Sequence, residues 1–533
     1  MAATAATTSD RQILDRPGLF YTDFIAHNAK LFANKDAVVC GDERHSWARF
    51  HSQTNKIANA LISLGLQKGD KVCIFGRNSV IMFEICWGTI KAGGVIVPLN
   101  IMMSDDTLPL MINNCGARFV FADEGTAPPL DAVRGQLLNV GPGGYLSCGF
   151  GKQGWTPAES LFDVASDADP DVVLDMNDTM NIIYSSGTTG VPKGIEHTHF
   201  TRLAFTFGYS QQLMIDRFTR TICSTPLYTN GTWLTMLPTV YSGGTCVLMT
   251  KFDGEGFIET VARERGTHAF LVPTQSIAIA AAHRPDKNLD LSSMEMILSG
   301  GQALPGRTFD DLMTTFPRLG IFECYGMTEG VFLCVGPKDY AQGKRGSVGM
   351  PIYGGDVCVI DEDGKELPRG ELGEIAGYCA GLMKGYYGDP ARTEELVWKS
   401  PKGRTYLRTG DLGRLDEDGY LYVAGRIKDM IKSGGINVFA SDIEDVFMRH
   451  PDISEVAVIG VPHEKWIETP ILLAVLREKA TCTTQDVMSW GNERLGKFQR
   501  VTRVEFRTEF PRTTNGKILK RVLRDEYKQM LVN

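Results

Sequence analysis

The chain has 533 residues, 55 of them basic and 63 acidic, for a formal net charge of −8 and a pI near 5.7. That length exceeds one ordinary hydrophobic core and implies roughly two to four structural units, while 43% apolar and 22% charged residues exclude disordered, collagen-like and coiled-coil classes. The acidic balance argues against nucleic acid as a partner, and the longest apolar runs, such as residues 471–476, fall far short of the ~20 residues that span a bilayer.

The N-terminal M-A-A-T-A-A-T-T-S-D lacks the charged and apolar regions of a signal peptide, and the C-terminal L-V-N is no retention or peroxisomal address, so a cytoplasmic protein is expected. Twelve cysteines from Cys40 to Cys482 include no C-x-x-C pair, which points to reduced, mostly buried thiols rather than zinc.

From residue 30 to 430, short apolar runs at 71–75, 94–98 and 269–273 alternate with longer amphipathic stretches, the pattern of a layered α/β fold with buried strands. Apolar residues three and four apart across 55–64 predict a helix that Gly65 ends. The Gly-rich 141–151 and acid-rich 163–175 intervals read as surface loops separating two lobes at most. A D-G turn at Asp418-Gly419 sits between alternating apolar residues, and from Asp429 onward the balance becomes +1, against −9 before it. A small, electrically distinct C-terminal domain is therefore expected, with the boundary placed at 427/428. Within it, residues 494–528 carry a local charge of +7, either a solvated helix face or a lip that meets phosphate.

The most informative segment is Tyr184-Ser-Ser-Gly-Thr-Thr-Gly-Val-Pro-Lys-Gly194. Gly187, Gly190 and Gly194 let backbone approach an anion, Ser185, Ser186, Thr188 and Thr189 donate hydrogen bonds, and Lys193 supplies a point charge. This suits a polyphosphate. It is not a Walker A loop, since Lys193 precedes Gly194 rather than Ser or Thr, and no G-x-G-x-x-G follows a predicted strand.

Together with Y-G-M-T-E-G (325–330), T-G-D-L-G (409–413), G-R-I-K-D-M-I-K-S-G-G (425–435) and N-G-K-I-L-K (515–520), this segment resembles the adenylate-forming superfamily, and within it the acyl- and aryl-CoA synthetases. The resemblance implies a large N-terminal AMP-binding domain of mixed sheets packed by helices (1–427) and a small mobile α+β C-terminal domain (428–533). It implies ATP, Mg²⁺ and coenzyme A as reactants and a carboxylic acid as substrate, with no nucleic-acid partner; a homodimer is left open. By the same resemblance Glu329 and Thr188 would hold the metal, and Lys517, Thr188 and Glu329 would carry the catalysis. The nucleotide would meet Ser185, Ser186, Gly187, Thr188, Thr189, Gly190, Lys193, Gly301, Gln302, Ala303, Tyr325, Gly326, Met327, Thr328, Asp411, Arg426 and Lys517.

Lys428 falls on the family's hinge position. Ser433, Gly434 and Gly435 would flank the pantetheine arm, and Trp466 would contact CoA, with packing on its own domain as the alternative. An apolar acyl pocket is drawn from Tyr228, Trp233, Val272, Gly300, Gly301, Gly330 and Val331, residues that could equally be core. An unsubstituted aliphatic or aromatic acid would suit it.

The sequence departs from the family pattern at four places. Thr229 stands where His often follows P-L-Y, Met102 replaces an Arg of some CoA ligases, Phe439-Ala440 replaces Tyr-Pro, and Ile467 stands where Gly usually follows Trp. The expected activity is an AMP-forming acyl-CoA ligase, the alternatives being a ligase that loads a carrier protein and a catalytically silent nucleotide-binding scaffold.

Overall fold

A computed structural model describes residues 19–104, 106–185, 193–434, 436–478, 480–512 and 517–528. Among these, the N-terminal part is built on an eight-stranded and a nine-stranded sheet. In the first, the runs expected to be buried form parallel neighbours: Lys71–Phe75 lies between Val95–Pro98 and Phe119–Asp123. Strands covered on both faces read as continuous apolar runs because neither face meets water. Thr179–Ser185 continues this sheet beside Val95–Pro98 and turns back antiparallel as Lys193–Thr198.

The helix expected across 55–64 runs from Trp47 to Ser63, opened by Ser46, whose hydroxyl accepts from Arg49 N–H. With the almost wholly buried helix Val80–Lys91 it packs into one core that takes Val72, Ile74 and Phe121 from the first sheet and Val38, Cys246 and Leu248 from the second. This layering gives the two sheets a shared core. The Gly-rich interval 141–151, expected to be surface loop, instead contains the fully buried strand Tyr145–Cys148, paired in parallel with Phe119–Asp123. Its glycines end that strand rather than replace it.

An antiparallel sheet of five strands follows, holding Thr405–Leu415 against Leu421–Arg426. After it, strands Ile453–His463 and Ile467–Leu476 pair over ten registered positions and carry two cores built from residues 431–527. Much of the C-terminal basic run is tied down here: Lys520 Nζ lies 2.6 Å from Glu444, Arg524 2.6 Å from Asp429 and Arg507 2.6 Å from Glu526, while Arg512 pairs with Glu455. All twelve cysteines are free thiols, nine of them buried. No described helix is long and apolar enough to cross a membrane.

Candidate active site

The hairpin Thr179–Ser185/Lys193–Thr198 places Ser185 directly opposite Lys193. The loop joining them, with Ser186, Gly187, Thr188, Thr189 and Gly190, lies outside the described residues. Lys193 Nζ lies over the ring of Tyr386, 4.7 Å from its centroid, and donates to the Tyr386 hydroxyl at 3.3 Å. That hydroxyl in turn donates to Glu329 Oε1 at 2.6 Å. Burial, reinforced by the Glu329 charge, pushes the Tyr386 phenol well above its ordinary pKa, so it stays a donor. Burial and the neighbouring Arg392 lower the Lys193 ammonium.

Glu329 owes its position to a tight reversal. Strands Gly320–Met327 and Gly330–Val335 pair antiparallel with a register shift at Gly326/Met327. The return goes through Gly330 at φ 117° and Val331 at φ 73°, a left-handed conformation that a β-branched residue adopts only under constraint. Two outside bonds supply it: Met383 N–H donates to Glu329 O at 2.8 Å, and His197 Nε2–H donates to Thr328 O at 2.8 Å. His197 is fully buried beside Arg202 and held far below the usual imidazole range, hence neutral.

On the same strand, the Tyr325 hydroxyl donates to Asp411 Oδ2 at 2.7 Å. Asp411 is the direct cross-strand partner of Arg426, whose Nε lies 3.0 Å from Oδ1 without an aligned hydrogen bond to that oxygen. A buried carboxylate oxygen thus retains acceptor capacity, as recognition of a hydroxyl pair requires. Gly301, Gln302 and Ala303 follow strand Met296–Gly300 as an exposed lip.

Of the expected acyl-pocket residues, Gly300, Gly301 and Val272 come together: a Cβ on Gly300 would lie 2.6 Å from Cys324 Sγ and 3.0 Å from the Phe270 ring, and one on Gly301 would lie 3.9 Å from Val272. Tyr228 is buried, which raises its phenol to about 12. Trp233 packs in the core with its indole N–H on Leu227 O at 2.7 Å, and Val331 fills the space left by the missing side chain of Gly377.

In the small part, Lys428 is the middle residue of a 3₁₀ turn, Ile427–Asp429. Ser433 pairs with Ile467, and Gly434 N–H donates to Trp466 O at 2.9 Å. Trp466 stacks on His463 with ring centroids 4.4 Å apart. The expected thiol-side residues therefore adjoin, apart from Gly435, which lies outside the described residues. The half-buried Lys517 has its amino pKa lowered to about 8 by burial and by the Arg426 charge, which outweigh Asp411. It is thus an electrostatic neighbour of the Asp411–Arg426 pair, although more than ninety residues separate them in sequence.

Sequence reasoning missed Tyr386, His197, Arg202 and Asn230. Tyr386 stands in K-G-Y-Y with no periodic or motif signal. His197 and Arg202 sit in H-T-H-F-T-R directly after the phosphate segment, where a buried cation has no sequence signature.

A feruloyl-CoA synthase from Amycolatopsis sp is 31% identical to this chain over 94% of it and 97% of that protein. The ATP-bound crystal structure of MatB from Rhodopseudomonas palustris superimposes with a TM-score of 0.84 at 28% identity, covering 96% of this chain and all of that one. The anthranilate CoA ligase AuaEII in complex with anthranoyl-AMP gives 0.86 at 26% identity over 96% and 97%. With the AMP-binding enzyme model matching residues 25–387 and the AMP-binding enzyme C-terminal domain model matching 442–517, the chain belongs to the AMP-binding enzyme family.

Proposed function

We propose that this chain is an ATP-dependent acyl-CoA ligase. A carboxylate oxygen attacks the α-phosphorus of ATP and pyrophosphate leaves. The thiolate of CoA then attacks the acyl carbon, and AMP leaves with the carboxylate oxygen. The observation that carries this reading is the convergence of Lys193, Glu329, Tyr325, Asp411 and Lys517, drawn from four separate stretches of chain, around the end of one hairpin.

Asp411 would accept the ribose hydroxyls, Lys193 would meet phosphate oxygens, and Lys517 would offset charge gathered on the carboxylate and α-phosphate during attack. Among the described residues no cluster of three potential metal ligands exists. A single carboxylate, Glu329, sharing an ion with substrate phosphates fits Mg²⁺, which keeps few protein ligands; bound there, the ion would withdraw charge from the phosphates. Tyr386 keeps Glu329 aimed by donating to it.

Ser433, Gly434 and Trp466 would take the thiol arm after the small domain turns about Lys428. With relatives named for feruloyl and anthranilate chemistry, an aromatic or aliphatic acid with an apolar body is the substrate class. Pyrophosphate release across a panel of such acids, with free CoA present, tests the reading: an acyl-CoA and AMP are expected. Pyrophosphate release without thioester would favour a carrier-protein acceptor, and no turnover with any acid would favour a silent nucleotide-binding scaffold.

A further inference from the structure

Arg202 is 0% exposed, and among the described residues no carboxylate pairs with it; burial lowers its pKa to about 9, partly offset by Tyr21. It is a cation at neutral pH held by neutral partners. Nε donates to Asn181 Oδ1 at 2.8 Å, one terminal nitrogen to Asn230 Oδ1 at 2.8 Å and the other to His197 Nδ1 at 3.2 Å. Trp233 and Phe205 flank the guanidinium at 5.2 and 5.5 Å. An unpaired buried charge is costly unless hydrogen bonds satisfy it, and these three acceptors do so.

The three bonds fix three orientations, because arginine only donates. The Asn230 atom facing Arg202 must be the oxygen, so the Asn230 amide NH₂ points the other way. That nitrogen has no hydrogen-bond partner among the described residues and is not sealed from solvent, and Asn230 itself is half-buried. The residue after it, Gly231, leaves room for the Phe270 ring, which a Cβ there would meet at 2.1 Å; the same ring covers Gly300. On its other side, Arg202 reaches Thr328 through His197. Asn230 is thus linked through its neighbour Gly231 and the Phe270 ring to Gly300, and through Arg202 and His197 to Thr328, the two segments that on the ligase reading flank the acyl group and the reacting phosphate.

Resting on the ligase reading above, we infer that Asn230, locked by Arg202, is a specificity-determining residue that donates to an oxygen on the body of the substrate acid, so that the preferred substrate carries an acceptor such as a phenol, ether, keto or second carboxylate oxygen. Asn230 contacts the substrate, and Arg202 is a positioning residue whose charge also favours electron-rich groups. This narrows the expectation of an unsubstituted acid while keeping an apolar body.

The test is kcat/KM for matched acids: an unsubstituted aryl and alkyl acid, and their hydroxy, methoxy, oxo and carboxy analogues. Wild type should prefer at least one substituted member by about tenfold or more. Preference for the carboxy analogue would assign the recognition to the charge of Arg202, and preference for a neutral analogue to the Asn230 amide. Asn230→Leu should collapse that ratio, through KM for the substituted acid, without moving KM for ATP. Asn230→Ala serves should the leucine variant misfold, with a thermal melt on each. Turnover in which unsubstituted acids win and the ratio ignores Asn230 overturns the inference and leaves the ligase reading intact. No turnover with any acid defeats the ligase reading itself.

Discussion

The Tyr386 hydroxyl donates to Glu329 Oε1 at 2.6 Å while the ammonium of Lys193 rests over the same aromatic ring. One tyrosine thus aligns the carboxylate proposed for the metal and the cation proposed for the phosphates. Tyr386→Phe keeps the ring and removes the donor, a charge-assisted bond worth ~1.5–3 kcal/mol. We expect kcat/KM for ATP to fall roughly 10- to 100-fold, with a larger deficit at limiting Mg²⁺. Kinetics across a Mg²⁺ titration check this; a variant with wild-type values at every concentration contradicts it.

Lys517 is held near a pKa of about 8 by burial and by the Arg426 charge, and in the role proposed for it adenylation needs its protonated form. Because kcat/KM reports groups of the free enzyme, it should be full below pH 8 and fall as pH rises beyond it. In Lys517→Arg, whose guanidinium does not titrate in this range, the alkaline limb should disappear from whatever activity survives. An unchanged limb in that variant would assign the ionisation elsewhere. Lys517→Ala should abolish acyl-adenylate formation yet still convert supplied acyl-adenylate to thioester, and equal loss of both steps would contradict the division of labour.

Lys428→Pro should show the converse. The ring fixes φ within the Ile427–Asp429 turn, so the small domain would keep one arrangement. Acyl-adenylate should accumulate in single-turnover experiments with CoA present. Undiminished thioester formation would remove Lys428 as the pivot.

Ile467 adopts φ 71° and is 70% exposed, at the position where the resemblance implies glycine. A left-handed conformation costs a side-chain-bearing residue ~1–2 kcal/mol, more than the ~0.5–1 kcal/mol of chain entropy that glycine loses on folding. Ile467→Gly should therefore raise the urea midpoint with an unchanged slope. A lower midpoint would show that the isoleucine is held by contacts that outweigh its backbone strain.

Local chemistry made much of this molecule legible. Lys71–Phe75 is a strand over the residues its apolar run marks, and Asp418-Gly419 turns between two strands of an antiparallel pair. Ordered motifs also singled out Glu329 and Asp411, which the structure joins to Tyr386 and Tyr325, because short motifs fix residue types at fixed spacing. Tyr386 and Arg202 were not legible, since each acts through a partner that tertiary packing brings in across 57 and 28 positions. The strand Tyr145–Cys148 was hidden by flanking glycines that signal turns more loudly than four residues signal a strand.

The central claim is that a carboxylate oxygen attacks the α-phosphorus of ATP. Supplying an accepted acid labelled with ¹⁸O in its carboxylate, together with ATP and CoA, and weighing the released AMP by mass spectrometry tests it directly. One ¹⁸O atom in AMP, with unlabelled pyrophosphate, is the predicted result. Unlabelled AMP, or release of ADP and phosphate instead, would contradict the account.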